Sequence, residues 1–286
     1  MKNTEIKFFN EGEKRVCYLP ESVQQIKKYF DQNKDATLII SFSEIMDKKN
    51  HNDFNDISNI NITKLMLSGR SRKEYNYNAL LKITKLIELD DRCGNLEYDF
   101  KHFPNLEILR LEWNKKTQNL NSLKKIKELS LWSYKPKNQN LSEFENLISL
   151  NELRIIQSNI KGIIGIENLK NINELVLIAN RALSINEIEI PFNNIKNLYI
   201  ESCKKIELEK IIKLFPNTRK LHYFSSTPIK SLRPLLDGLK NLEELNIAGT
   251  KILETDNRYW KDYKNIKSLH FYDRKHHILK LKDFKG

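Results

Sequence analysis

The sequence predicts an α/β solenoid: short parallel strands stacked coil upon coil, with helical or irregular returns between them. Three observations carry that prediction. A phrase of one apolar residue, two free positions, Leu, one free position and a second apolar residue recurs along most of the 286 residues, at intervals of 20 to 24. Only 8 Gly and 7 Pro leave too few breakers for a loop-rich sandwich. A composition of 40% hydrophobic and 30% charged residues excludes both a disordered chain and one embedded in a membrane.

The elements follow in order. Residues 4–9 and 14–19 read as two strands around the turn Asn10-Glu11-Gly12-Glu13. Residues 21–30 place Val23, Ile26, Tyr29 and Phe30 on one helical face. Residues 36–42, ATLIISF, read as a first sheet strand, so 1–36 is taken as an N-terminal αβ cap. The polar stretch 43–60 bridges to the repeats. Residues 37–275 form the solenoid, and 276–286 a C-terminal cap in which the alternating HILKLKDF (277–284) pairs with the last coil to close it. The ends must differ from the middle, because a bare terminal coil exposes its apolar ladder.

Nine copies of the phrase are clear: ITKLMLSGR from Ile62, LEILRLEWN from Leu106, IKELSLWSY from Ile126, LNELRIIQS from Leu150, INELVLIAN from Ile172, IKNLYIESC from Ile195, TRKLHYFSS from Thr218, LEELNIAGT from Leu242 and IKSLHFYDR from Ile266. A degenerate tenth, TKLIELDDR from Thr84, fits best with Ile87 and Leu89 inward. Apolar residues two apart share one side of a strand, and one such strand cannot bury that side alone. Stacked copies bury it as a ladder. Three positions after the second apolar residue stand Asn114, Ser158, Asn180, Cys203, Ser226 and Thr250, small polar groups able to bond the turning backbone. Arg70, Arg92, Tyr134 and Arg274 break that row.

These residues resemble the leucine-rich-repeat family over 37–275. The phrase Leu242-x-x-Leu245-x-Ile247-x-x-Thr250 carries the likeness, and the returns around Ile160–Ile172 and Ile229–Leu242 resemble the short bacterial, internalin-like type. The resemblance implies a horseshoe with a parallel concave sheet, and a binding scaffold of unspecified ligand.

Motifs for catalysis are absent: no GxSxG, P-loop, HExxH or dinucleotide fingerprint occurs. Cys17, Cys93 and Cys203 are odd in number and widely spaced, which gives neither a disulfide framework nor a zinc site. The six His are read as packing or surface residues, and His222 and His270, two strands apart, lie too far apart for one metal. No enzyme, metal or cofactor is expected. Neither a membrane span nor a signal peptide is read, so a monomer in the cytoplasm is the expectation.

The repeat frame places three columns on the open side of the sheet. The first includes Lys64, Leu86, Ile108, Glu128, Glu152, Glu174, Lys220 and Glu244. The second includes Glu88, Arg110, Arg154, Tyr199, His222 and His270. The third includes Asp90, Glu112, Trp132, Ile156, Ile178, Glu201, Phe224 and Tyr272. Eight of these side chains are acidic and four basic, although the whole chain carries +12. The binding candidates are therefore Glu88, Arg110, Glu112, Glu128, Trp132, Glu152, Arg154, Glu174, Tyr199, Glu201, His222, Phe224, His270 and Tyr272, with Trp113 and Tyr134 at the rim. Glu128, Glu152 and Glu174 in one column repel unless a cation lies over them, and Arg154 is placed to do so.

An acidic face carrying aromatic residues fits capture of a basic protein, by steering and by aromatic anchoring. Masking of a basic toxin, as an immunity protein does, is one form this takes. The alternatives are nucleic-acid or anionic-surface binding, prompted by a pI near 9.3 but disfavoured by scattered basic residues, and a secreted host-interaction effector on the same scaffold.

Overall fold

The structure, a computed structural model, describes residues 6–10, 14–45, 54–69, 76–94 and 96–284. The chain divides into two compact units, Met1–Trp132 and Ser133–Gly286. Within each unit the strands follow chain order, each pairing in parallel with the next.

The first unit holds β1 (Arg15–Cys17), β2 (Thr37–Ser41), β3 (Lys64–Ser68), β4 (Glu88–Asp91), β5 (Ile108–Glu112) and β6 (Glu128–Trp132). Helix α1 (Val23–Gln32) connects β1 to β2 and buries Ile26 and Phe30, two members of its expected apolar face. Short helices α2 (Phe42–Ile45) and α3 (Asn78–Leu81) follow. The expected first strand is reduced to an antiparallel bridge between Phe8 and Val16, flanked by Phe9 N–H donating to Arg15 O at 2.9 Å and Cys17 N–H to Lys7 O at 2.8 Å. Residues 4–5 of that strand, 11–13 of its turn, 46–53 of the polar bridge and Arg70 lie outside the described residues.

The second unit holds β7 (Glu152–Ile156), β8 (Glu174–Ile178), β9 (Asn197–Glu201), β10 (Lys220–Phe224), β11 (Glu244–Asn246) and β12 (Ser268–His270), with α4 (Leu208–Leu214) before β10 and α5 (Arg233–Gly238) before β11. The buried-and-open alternation along β7 and β9 is what a period of two demands. Leu153, Leu175, Leu198 and Leu221 are all fully buried and form the ladder.

The polar row does the work its spacing predicts at most coils. Asn180, fully buried, accepts from Ser158 N–H at 2.9 Å and donates to Ile155 O at 2.8 Å. Thr250 accepts from Ser225 N–H and donates to Tyr223 O, both at 2.9 Å. Two expectations fail here. Ser226 is exposed and Ser225 is the buried serine, because Thr250 of the next coil already holds that turn. Tyr134 is not at a rim: it is fully buried, stacked on Phe144 and donating to Glu143 at 2.8 Å. Immediately after their strands, Ser133, Gln157, Ala179 and Ser202 take positive φ near +55°. Each turns the chain while its N–H still donates to the next coil, as Ala179 does to Glu201 O at 2.8 Å.

The degenerate copy departs from its expected register. Leu89, not Ile87, pairs with Leu65 on one side and Leu109 on the other. Ile87 is 39% exposed, Leu86 is buried, and the second inward position is filled by Asp91, fully buried. An acid can stand there because its lone pairs are used: Cys93 N–H donates to Asp91 Oδ1 at 2.8 Å and Tyr98 Oη to Oδ2 at 2.9 Å. Burial pushes the Asp91 carboxyl above the usual carboxylate range and the Tyr98 phenol well above its own.

Nor does 277–284 add a strand. Asn257 fixes this segment, donating to Leu279 O at 2.9 Å and accepting from Leu279 N–H at 2.8 Å. A 3-10 turn (Leu281–Phe284) then lays Phe284 against Trp260 and Phe271. His277 and Phe284 pack against Trp260, and Ile278 N–H donates to Thr255 O at 3.1 Å, so the segment is tied to the preceding coil without forming a strand. Trp260 itself is buried, with its Nε1–H donating to Glu254 at 3.0 Å.

Candidate functional site

The corrected register of β4 rewrites the open face of the first unit. Glu88 belongs to the first column, Asp90 to the second and Arg92 to the third. Leu86 and Ile87 leave the frame. Arg110 then lies between two strands' carboxylates, donating to Glu88 Oε1 at 2.7 Å and to Glu128 Oε2 at 3.0 Å. Asp90 accepts Arg92 through both oxygens, at 3.0 and 3.2 Å. The Arg92 guanidinium also sits 4.8 Å from the centre of the Trp132 ring. That stacking covers part of the aromatic surface that the sequence assigned to a partner. Glu112 stands beside Trp132 across the strand pair, and among the described residues no cation reaches its carboxylate.

The open face of the second unit repeats the bridging device with different surroundings. Glu152 and Glu174 are directly opposed on β7 and β8, and Arg154 joins them, pairing with Glu152 and donating to Glu174 at 2.6 Å. This is the expected relief of the Glu column. Lys220 pairs with Glu244 at 2.8 Å. The Glu column is thus mostly an ion-pair network, because its carboxylates have an arginine or lysine on the same or the neighbouring strand. Glu201 differs. It is exposed, and among the described residues no cation reaches it.

Around Glu201 the third column is apolar: Ile156 opposes Ile178, Ile178 opposes Glu201, and Glu201 opposes Phe224. All three apolar side chains are partly exposed. Phe224 is held down over Gly249, where a Cβ would lie 2.9 Å from its ring. In the middle column Tyr199 and His222 are in contact, with ring centres 4.4 Å apart, and Phe224 lies 6.2 Å beyond His222. Burial, then the Glu174 charge, raises the Tyr199 phenol, while burial lowers the His222 imidazole. Val176 is buried beneath them. Tyr272, 62% exposed, and exposed His270, bonded to Ser268 at 3.0 Å, stand at the β12 end of this unit, away from the Tyr199 cluster.

The chosen residues therefore fall into groups. Glu88, Arg110 and Glu128 form one bridge, and Glu152, Arg154 and Glu174 another. Tyr199, His222, Phe224 and Glu201 form one patch. Arg92 was missed, and no local pattern could reveal it: the apolar template fits Ile87 and Leu89 better than Leu89 and Asp91. Among the described residues no trio of His, Cys, Asp or Glu converges as a metal site.

No family model matches the sequence, and no curated protein matches it. Solved structures do. The Toll chain of the Drosophila Toll–Spatzle complex is 15% identical with a TM-score of 0.51, over 91% of this chain and 43% of its own. A leucine-rich-repeat protein of Leptospira interrogans is 19% identical, with a TM-score of 0.44, over 90% of this chain and 82% of its own. The plant peptide hormone receptor RGFR1, in complex with RGF2, is 13% identical, with a TM-score of 0.43, over 90% and 46%. The present chain thus spans less than half the length of Toll. With the Leu ladder carried by successive parallel strands and Toll as a fold neighbour, the chain has the leucine-rich-repeat fold.

Proposed function

We propose that the chain is a non-catalytic protein-binding scaffold, and that the open face of its second unit captures a basic protein. The observation that carries this reading is Glu201, exposed and reached by no cation among the described residues, set in the partly exposed apolar row of Ile156, Ile178 and Phe224. A lysine or arginine of the partner completes that carboxylate, while Phe224 and Tyr199 supply rigid apolar area at the centre. The Arg154 bridge fixes the surrounding carboxylates, so that the negative charge offered to a partner is concentrated at Glu201. Toll's complex with Spatzle is a case of a related fold holding a protein. Masking a basic enzyme or toxin is the use for which such a face suits an immunity-type inhibitor.

The test is affinity capture with the intact chain, followed by titration calorimetry of the recovered partner. Glu201→Lys with Phe224→Ala should weaken a basic partner about 100-fold, the loss expected when a central anchor and its charge partner go together. Recovery of acidic partners alone, or an affinity unmoved by the double substitution, overturns the reading. Tight nucleic-acid binding with a steep salt dependence in a mobility-shift assay would favour the basic surface instead.

A further inference from the structure

The second unit carries another surface, at the outer edge of β12. This strand pairs with β11 on one side, and among the described residues no strand pairs with its other side. The preceding coil shows which groups point outward. There the Glu243 carbonyl accepts from Lys267 N–H at 2.7 Å and Ser268 N–H at 3.1 Å, and Ile247 N–H donates to His270 O at 2.8 Å. In the register that pairs Leu245 with Leu269, the equivalent groups on β12 are the Lys267 carbonyl and the Phe271 N–H, and the parallel ladder places the Leu269 N–H and C=O between them, turned away from β11.

Side chains under this edge are also uncovered. Leu242 and Leu245 are buried by the coil that follows them, whereas their counterparts Ile266 and Leu269 are only half-buried. Together with Trp260 and Phe284 they floor a groove of about 280 Å³. Among the described residues its charged lining is Lys261, Lys264 and Lys267 with Asp283. Lys267 is held by Glu243 at 2.8 Å, while among the described residues no carboxylate pairs with Lys261 or Lys264.

We propose that this edge binds an extended acidic segment of a partner protein as an added parallel strand. Its backbone pairs with Lys267 and Leu269, its aliphatic side chains cover Ile266 and Leu269, and its carboxylates meet Lys261 and Lys264. A second copy of this chain is a poor occupant, because it would set the same lysines against one another; lysine at an open edge suppresses self-pairing. The site is separate from the Glu201 face and selects the opposite charge.

A fluorescent peptide of four Val–Glu repeats, with a Val–Lys peptide as control, tests this on the full chain. The Val–Glu peptide should bind and slow hydrogen exchange at the Leu269 amide. Lys261→Glu with Lys264→Glu, both at exposed positions, should weaken it ~10-fold or more, as reversal of a steering charge pair does. If that variant fails to fold, added salt should weaken peptide binding to the unaltered chain in the same direction. The proposal fails if the Val–Glu peptide does not bind at millimolar concentration, if Val–Lys binds equally well, or if Leu269 exchange is unchanged. A concentration-dependent dimer that protects Leu269 without peptide would assign the edge to a second copy instead.

Discussion

The coil around β4 and the coils around β7 to β9 solve one problem in two ways. Each must turn the chain after its strand without leaving buried backbone groups unpaired. At β7 to β9 both inward strand positions are aliphatic, and the next coil's polar residue reaches back: Asn180 bonds Ser158 N–H and Ile155 O. At β4 the inward acid does this within its own coil, Asp91 taking Cys93 N–H and the Tyr98 hydroxyl. The requirement at an inward position is therefore that polar atoms be satisfied, with apolarity as the commonest way to meet it. The choice has a consequence on the opposite face. Setting Asp91 inward turns Arg92 outward onto Trp132, so the first unit covers an aromatic that the second unit, at Phe224, leaves available.

The comparison can be broken most severely at Asn180. Its replacement by Leu orphans Ser158 N–H and Ile155 O together and should cost about 2–4 kcal/mol, two unpaired buried groups, read as a lower denaturant midpoint. Asp91→Leu should cost less, about 1–3 kcal/mol, since it restores the apolar ladder while stranding Tyr98 Oη and Cys93 N–H. Adding Tyr98→Phe should return part of that loss. If the single and double variants are equally unstable, the Asp91–Tyr98 bond is not what makes the acid tolerable.

The same pair gives the two units different responses to pH. Because Asp91's folded pKa is raised, its protonated form is the one the fold prefers. Its contribution is fully present below the unfolded carboxylate pKa and is lost as pH rises through the folded value. Asp91→Asn should remove that segment of the stability–pH curve. A curve of unchanged shape would refute the assignment. The smallest expected effect sharpens the comparison at the turns. Gly69 follows β3 with φ +84°, where Ala179 follows β8 with φ +56°. Ala179→Gly should therefore stabilise the chain by about 0.5–1 kcal/mol, relief of left-handed strain in a residue with a Cβ, and its midpoint should rise.

Most of the fold was legible because the ladder is written in single letters at a constant spacing. Leu65, Leu109, Leu129 and their successors are inward as read. The register of one coil was not legible, since an apolar template prefers Ile87 to Asp91 and cannot know that Tyr98 supplies a partner. The membership of the open columns in the second unit was legible for the same periodic reason, and Arg154 was correctly seen as the relief of Glu152 and Glu174. Which carboxylates stay unpaired was not. Ion pairing depends on side chains of the same strand and of neighbouring coils together: Arg110 reaches Glu88 and Glu128, 22 and 18 residues away, and Arg154 reaches Glu174, 20 away.

By itself, then, the sequence determined the solenoid, the direction of its strands and, outside the β4 coil, which strand residues alternate inward and outward, because a period of two within a period of 20 to 24 fits a stacked parallel sheet. Tertiary structure alone decided that Asp91 is buried, that Arg92 covers Trp132, that 277–284 closes the last coil without forming a strand, and that among the described residues no cation reaches Glu201. Those outcomes turn on hydrogen bonds and charges between coils, whose energies depend on distances of a few ångströms that no linear pattern encodes.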